Sequence, residues 1–369
     1  MKNIATLLGS FYYFYFSVVG IYIIFLPKIL DDVGYSGTQI GIIFSLAPFV
    51  RMVLPFMFER YIQLNKKSFY IALILMLIGA CSFYITLHHF YLLLLTNIVL
   101  GIGMSLIIPY IEAIALQTIK KERYGKVRLF GSIGFIIVAL VLVHYITNPL
   151  NALHFLVILS LISTFFAYKV VALSGIDDTQ ESIDEHRPIT LVKDKYLWIG
   201  LTLMQVSFGS FYNFFTIYET AHGLSMDTTI YLWSFGVVVE VAMLFFQGRI
   251  LHYDLLRVLQ ITTIFSVLRW YLIFAYPTNL WVLYAAQSLH ALSFALFHSA
   301  AISYLYHHYT NKPLAQQFFS GITYGFGGLC GALIAGYIYQ YYPNYLFLSS
   351  AVFAGGAFAS LVIYQRQTA

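Results

Sequence analysis

Three polar residues, Glu240, Arg269 and His290, interrupt three consecutive apolar runs. A charge at bilayer depth costs about 2.5–3.5 kcal/mol even on the lenient insertion scale. Three such groups in neighbouring runs must satisfy one another. An arginine binds a carboxylate through two parallel N–H bonds and does not titrate. Glutamate and histidine do titrate, and burial or a nearby cation shifts both. A Glu240 that alternates between a proton and an arginine partner would couple protonation to helix movement. The plainer reading is a fixed pair that only holds helices together, but apolar side chains serve that purpose as well.

His290 does not stand alone on its helical face. Gln287 before it and Ser293, Phe297 and His298 after it lie at helical spacing and make the face unusually polar. A second set of charges, Arg51, Glu112 and Arg128, lies in the first half of the chain. Glu112 and Arg128 flank the polar segment between the fourth and fifth runs almost symmetrically. They have similar depth, could pair, and could bind a polar or anionic solute. The plainer reading makes Arg128 a basic anchor at the membrane surface. Pro48, Pro55 and Pro109 loosen the backbone ladder near these charges. Aromatic residues are abundant, with 31 Tyr and 33 Phe. Phe11, Tyr12, Tyr13 and Tyr15 cluster in the first run, and Phe208, Phe211, Tyr212 and Phe214 in the seventh. Tyr212 is the aromatic candidate for solute contact, with bulk packing an equally good account of the rest. Gly321, Gly325, Gly327 and Gly331 in the eleventh run permit close helix approach.

The elements that must hold these groups are membrane helices. The chain of 369 residues is 60% hydrophobic and 9% charged, with a mean hydropathy of +0.80. Soluble chains carry about 25% charged residues, so this is an all-α, polytopic membrane protein. The net charge of +5 sits in short loops with no basic face, which excludes nucleic acid as a partner. Cys81 and Cys330 lie in separate runs, so neither a disulfide framework nor a metal site is expected. No HExxH or GxSxG motif is present, and no enzyme activity or cofactor is expected.

Runs long enough to cross a bilayer, about 20 residues each, fall at roughly 4–30, 38–60, 68–87, 90–117, 127–147, 151–172, 196–220, 228–249, 255–275, 279–306, 314–340 and 344–364. The first is read as a spanning helix and not a removable signal. With the N-terminus inside, nearly all of the 20 Lys+Arg fall on the cytoplasmic side. Lys28 falls outside, and Arg51 and Arg269 within the membrane. Both termini are then cytoplasmic. The polar stretch SGIDDTQESIDEHRP divides the chain into 1–173, a linker at 174–195, and 196–369. The two halves resemble each other weakly. Displaced by 189 residues, Ser45 falls on Ser234, Arg51 on Glu240 and Arg60 on Arg249. Twelve helices in two repeats is an architecture of secondary transporters.

The segment YGKVRLFGSIGF (124–135) resembles the loop signature of the lactose-permease-like clan of the major facilitator superfamily. YLWSFGVVVEV (231–241), VLRWYL (267–272) and SLHALSFALFH (288–298) are similar to its 3-phenylpropionate transporter branch. The resemblance implies alternating access about a site near the midplane between the halves. It implies proton coupling through Glu240, Arg269 and His290. It implies solute binding through Glu112 and Arg128, to which the residues add Arg51, His298 and Tyr212. Two departures stand out. Ser293 occupies the place of a coupling glutamate, and the loop between the second and third runs, FERYIQLNKK, lacks the usual glycine-rich, Asp-bearing pattern. The expected activity is proton-coupled uptake of a small organic solute. An aromatic carboxylate such as 3-phenylpropionate is implied, with a sugar, a nucleoside or export of a drug or metabolite as alternatives. The expected partners are the solute, protons and the bilayer of the cell inner membrane, and the expected working form is a monomer.

Overall fold

The computed structural model describes residues 2–60, 65–119, 121–145, 148–175 and 191–368. Every regular element among them is a helix. Numbered along the chain, α1 covers 2–33, α2 is Gly37–Arg60, α3 is Lys66–Thr86 and α4 is Phe90–Thr118. Helices α5 and α6 are Lys121–Leu142 and Pro149–Ser174. Helix α7 has two pieces, Lys195–Ser207 and Gly209–Ala221, joined at Phe208. Helix α8 is Met226–Phe246 with a tight last turn, Gln247–His252, and α9 is Leu255–Ala275. Helices α10 and α11 cover 280–308 and 312–341, and α12 is Leu346–Thr368. Eleven are long and apolar enough to cross a membrane unbroken; α7 is the twelfth, interrupted at Phe208. The expected helix class and crossing pattern are those found.

Local chemistry sets the ends. Asn65 and Ser68 exchange bonds in a capping box that opens α3. Asn148, Ser225, Asp254, Asn279 and Asn311 each accept a backbone N–H at the start of α6, α8, α9, α10 and α11. Gly34 ends α1 at φ +102°, a left-handed turn that side chains other than glycine disfavour. Helix α5 lies ahead of the expected 127–147 at both ends. Its polar opening, KERYGKVR, is made mostly of good helix formers and continues the helix instead of ending it. Three wide π-helical segments, Ile21–Phe25, Ala291–Leu296 and Phe319–Gly327, have no counterpart in the hydropathy pattern.

Contacts divide the chain into two units, Met1–Tyr35 with Val53–Ser182, and Ser36–Met52 with Ile183–Ala369. Residues 176–190 of the expected linker lie outside the described residues. In the first unit α1 packs on α5 and α6, and α3 on α4 and α6. Small residues set the spacing. A Cβ on Gly103 would stand 2.6 Å from the Met76 backbone, and one on Gly134 would strike the Tyr13 carbonyl. In the second unit α12 packs between α7 and α9, and α10 between α8 and α9. Residues 36–52 of α2 group here because they lie on α11. A Cβ on Gly41 would stand 2.7 Å from the Ala332 carbonyl oxygen. The Gly37 N–H also donates to Gln340 Oε1 at 2.8 Å.

Candidate functional site

The second unit gathers Glu240 from α8, Arg269 from α9, and Gln287, His290 and Ser293 from α10. Arg269 is 0% exposed. Its Nη1 donates to His290 Nδ1 at 2.8 Å and to Ser293 Oγ at 3.2 Å, and its Nη2 to Gln287 Oε1 at 2.9 Å. The π-helical segment begins directly after His290. Its wider turn brings positions 287, 290 and 293 onto one guanidinium, and such bulges recur at functional sites. Phe211 and Trp270 cover the cation, with ring centroids 4.3 and 4.4 Å from its central carbon.

Arginine only donates, so His290 Nδ1 must accept. The proton of the neutral ring then sits on Nε2, which faces Glu240 Oε2 at 3.3 Å. A doubly protonated His290 would set an N–H against the arginine N–H. The geometry therefore holds His290 neutral and aims its one donor at Glu240. The direct Glu240–Arg269 pair expected from the sequence is not formed in this conformation; His290 stands between them. Glu240 keeps 19% of its side chain exposed, whereas Arg269 has none. Of this group, Glu240 is the carboxylate, and it is left part-exposed.

The same face of α10 continues as a ladder. His290 stacks on Phe294 with centroids 5.2 Å apart, and Phe294 on His298 at 6.3 Å. His298 Nδ1 is bonded to the Tyr324 hydroxyl in the π-helical segment of α11. Tyr212 stacks on Phe208 at 5.6 Å and meets Phe294 edge-on at 6.2 Å. It lies within electrostatic reach of Glu240, Arg269, Tyr324 and Arg51. Arg51 is exposed and acts on Tyr324 as well. Six expected residues, Arg51, Tyr212, Glu240, Arg269, His290 and His298, thus share one neighbourhood.

The other two candidates lie in the first unit. Arg128 Nε stands 3.4 Å from Glu112 Oε1, with about a third of each side chain exposed. The guanidinium lies over Phe16 at 4.0 Å and Tyr12 at 5.1 Å. The glycine after it in sequence serves this geometry: a Cβ on Gly131 would stand 2.8 Å from Arg128 Nη1 and from the Phe16 ring. Glu112 and Arg128 form a loose, part-exposed pair against aromatic faces, an arrangement that can bind a polar group and a ring together.

Sequence reasoning missed two features. Asp194, just before α7, accepts from Tyr309 Oη at 2.6 Å and contacts His308 Nε2 at 3.1 Å. Trp198 Nε1 donates to the same Tyr309 hydroxyl at 3.0 Å. Burial and the Asp194 carboxylate together push the Tyr309 hydroxyl above the usual tyrosine range. Asp194 stands in the turn before α7 and His308 at the end of α10, and no local spacing connects them. The other feature is Glu219, whose place at the edge of an apolar run makes it look like a loop residue.

A family model described as "MFS_1 like family" matches residues 5–349. The chain belongs to this family. It is a multi-pass membrane transporter on the major facilitator fold, not an enzyme. It is 26% identical to the Escherichia coli (strain K12) protein named "Probable 3-phenylpropionic acid transporter", covering 93% of each chain. It is 29% identical to the Bacillus subtilis (strain 168) transporter YwbF, over 90% of this chain and 86% of that one. Among solved structures it resembles the nucleoside transporter NupG, with a TM-score of 0.77, 17% identity, and 99% of this chain and 98% of that chain covered. At that identity the likeness speaks for the fold alone.

Proposed function

We propose that this transporter carries a small organic solute together with protons, by alternating access of its two six-helix halves, and that Glu240 is the coupling residue. The observation that carries the reading is the Glu240–His290–Arg269 chain. One titratable, part-exposed carboxylate faces a histidine that a fully buried arginine holds in one tautomer. When Glu240 takes a proton it gives up its charge, and its hold on the His290 N–H weakens to that of a neutral acceptor. That changes the contact between α8 and α10, the kind of bistable link that coupling requires.

An aromatic carboxylate is the solute we favour. Arg128 over Phe16 and Tyr12 offers a cation beside rings, and the Escherichia coli relative bears a phenylpropionic acid name. A sugar or a nucleoside is the second reading, supported by the Glu112–Arg128 pair, whose donors and acceptors also suit hydroxyl groups. We place the protein in the bacterial inner membrane with both termini cytoplasmic, acting as a monomer in the direction of uptake.

The test begins with a thermal-shift screen of phenylpropanoids, other carboxylates, sugars and nucleosides. The hit is then followed in proteoliposomes under an imposed pH gradient. One proton moved with each carboxylate anion, with the membrane potential held at zero, accumulates it about tenfold per pH unit. Glu240→Gln should reduce that accumulation to none while preserving solute exchange. Full accumulation by this variant would remove Glu240 from the coupling role, and efflux by the unaltered protein would reverse the direction.

A further inference from the structure

A second buried carboxylate lies outside the group just described. Glu219, near the end of α7, is 0% exposed. Neither Oε1 nor Oε2 has a hydrogen-bond partner among the described residues. Among the described residues no ion pair reaches it. The segments around this end of α7, namely 209–232, 270–282 and 330–350, contain no Lys or Arg at all. Arg269, just before the second of these segments, is bound to α10.

At this end of the packed elements the titratable groups are otherwise acidic, tyrosyl or imidazole. Tyr218 lies on α7 and His222 just after it, Asp227 and Tyr231 on α8, Tyr337, Tyr339 and Tyr341 on α11, and Tyr342 and Tyr345 precede α12. An unpaired carboxylate shut away from water takes a proton instead of keeping its charge.

Its position gives that proton a use. Glu219 shares a helical face with Thr216, Phe215 and Tyr212. Trp233 of α8 donates to Thr216 Oγ1 at 3.1 Å, which fixes that face toward α8. Phe211, on the preceding turns of α7, lies with its ring 5.6 Å from that of His290. Eight residues separate Phe211 from Glu219, roughly 12 Å along the helix. Glu219 thus stands between the 222–225 loop and the Glu240–His290 pair. His222, half-buried at that loop, is one turn beyond it, with its ring centroid 4.2 Å from that of Tyr218.

We propose that Glu219 is a second proton-binding residue of this transporter, placed between the 222–225 loop and the coupling pair, protonated while α7 is packed as described and titrating with bulk water when that turn is hydrated. This rests on the proton-coupled reading above. The step makes or breaks one O–H bond on the carboxyl group, with water at the loop as donor and acceptor.

Infrared spectroscopy of the whole protein in lipid nanodiscs tests it without a solute or a gradient. Difference spectra between alkaline and neutral pH should show the carbonyl stretch of a protonated carboxylic acid. That band should be missing in Glu219→Gln, a neutral isostere, and displaced but present in Glu219→Asp. It should persist in Glu240→Gln, so the outcome is independent of whether Glu240 carries the coupling. A difference spectrum of Glu219→Gln identical to that of the unaltered protein overturns the proposal. So does a Glu219 band equally strong at both pH values, which would mark a permanently neutral packing group.

Discussion

The arginine at the centre of the second unit offers a sharp physical test. Arg269→Lys keeps the buried charge but replaces two donor nitrogens with one. Either the two bonds from Nη1 to His290 and Ser293, at 2.8 and 3.2 Å, or the bond from Nη2 to Gln287, at 2.9 Å, must be lost. A hydrogen bond to a charged group contributes about 1.5–3 kcal/mol. The planar contact with Phe211 and Trp270, at 4.3 and 4.4 Å, adds about 1 kcal/mol or more where water is excluded. The variant should therefore lose at least about 2.5 kcal/mol of stability. Equilibrium unfolding in mixed micelles measures this, with Ser293→Ala as the single-bond control. Histidine-selective 15N NMR of the unaltered protein adds a direct view, because His290 should show a bare Nδ1 and a protonated Nε2. A Lys variant within about 1 kcal/mol of the parent, or a His290 protonated at Nδ1, would refute the tautomer reasoning.

Other consequences are equally concrete. Gly209→Ala would drive a methyl group into the Gly331 backbone where α7 crosses α11; it should cost about 1–3 kcal/mol in thermal unfolding. Gly355→Ala, where nothing lies within 4 Å, should be neutral or slightly stabilising. Tyr309→Phe removes the bond to Asp194 and the acceptor for Trp198, for an expected loss of about 2 kcal/mol in the same measurement. Because the folded state raises the Tyr309 ionisation above its unfolded value, the stability it contributes is full below the ordinary tyrosine range, near pH 10, and fades as pH climbs toward the folded value. Alkaline unfolding curves of the parent and of Tyr309→Phe should converge there. Arg128→Lys loses the planar face held over Phe16 at 4.0 Å and should weaken binding of the solute found in the screen about tenfold by calorimetry; unchanged affinity would reduce Arg128 to a surface anchor.

The helices were legible because one solvent dominates. A bilayer demands long apolar segments, and Asn65, Asn148, Ser225 and Asn279 punctuate them with the turn and capping chemistry that a reader can see. The helical period alone puts Gln287, His290, Ser293 and His298 on one face. What hydropathy cannot carry is a change of helical pitch. The π-helical turn after His290 alters which atom of that ring meets which neighbour. So the expected Glu240–Arg269 pair resolved into a relay through His290. Glu219 was missed for a related reason. A run's edge looks alike whether the next residue is wet or sealed, and only packing by α8, α11 and α12 decides which.

Ser293 turns from an anomaly into a constraint on charge. It accepts one bond from Arg269 where the resemblance would have a second carboxylate. With His290 neutral, the group then holds one fixed cation and one titratable anion. It is balanced when Glu240 is ionised and carries one positive charge when Glu240 is protonated. An arginine that is fully buried and committed to α10 is also out of reach of a solute. On the proposed reading, coupling and recognition are therefore divided. Glu240 takes the proton, Arg269 and His290 hold it in register, and a solute carboxylate must find its cation at Arg51 or Arg128, which remain accessible.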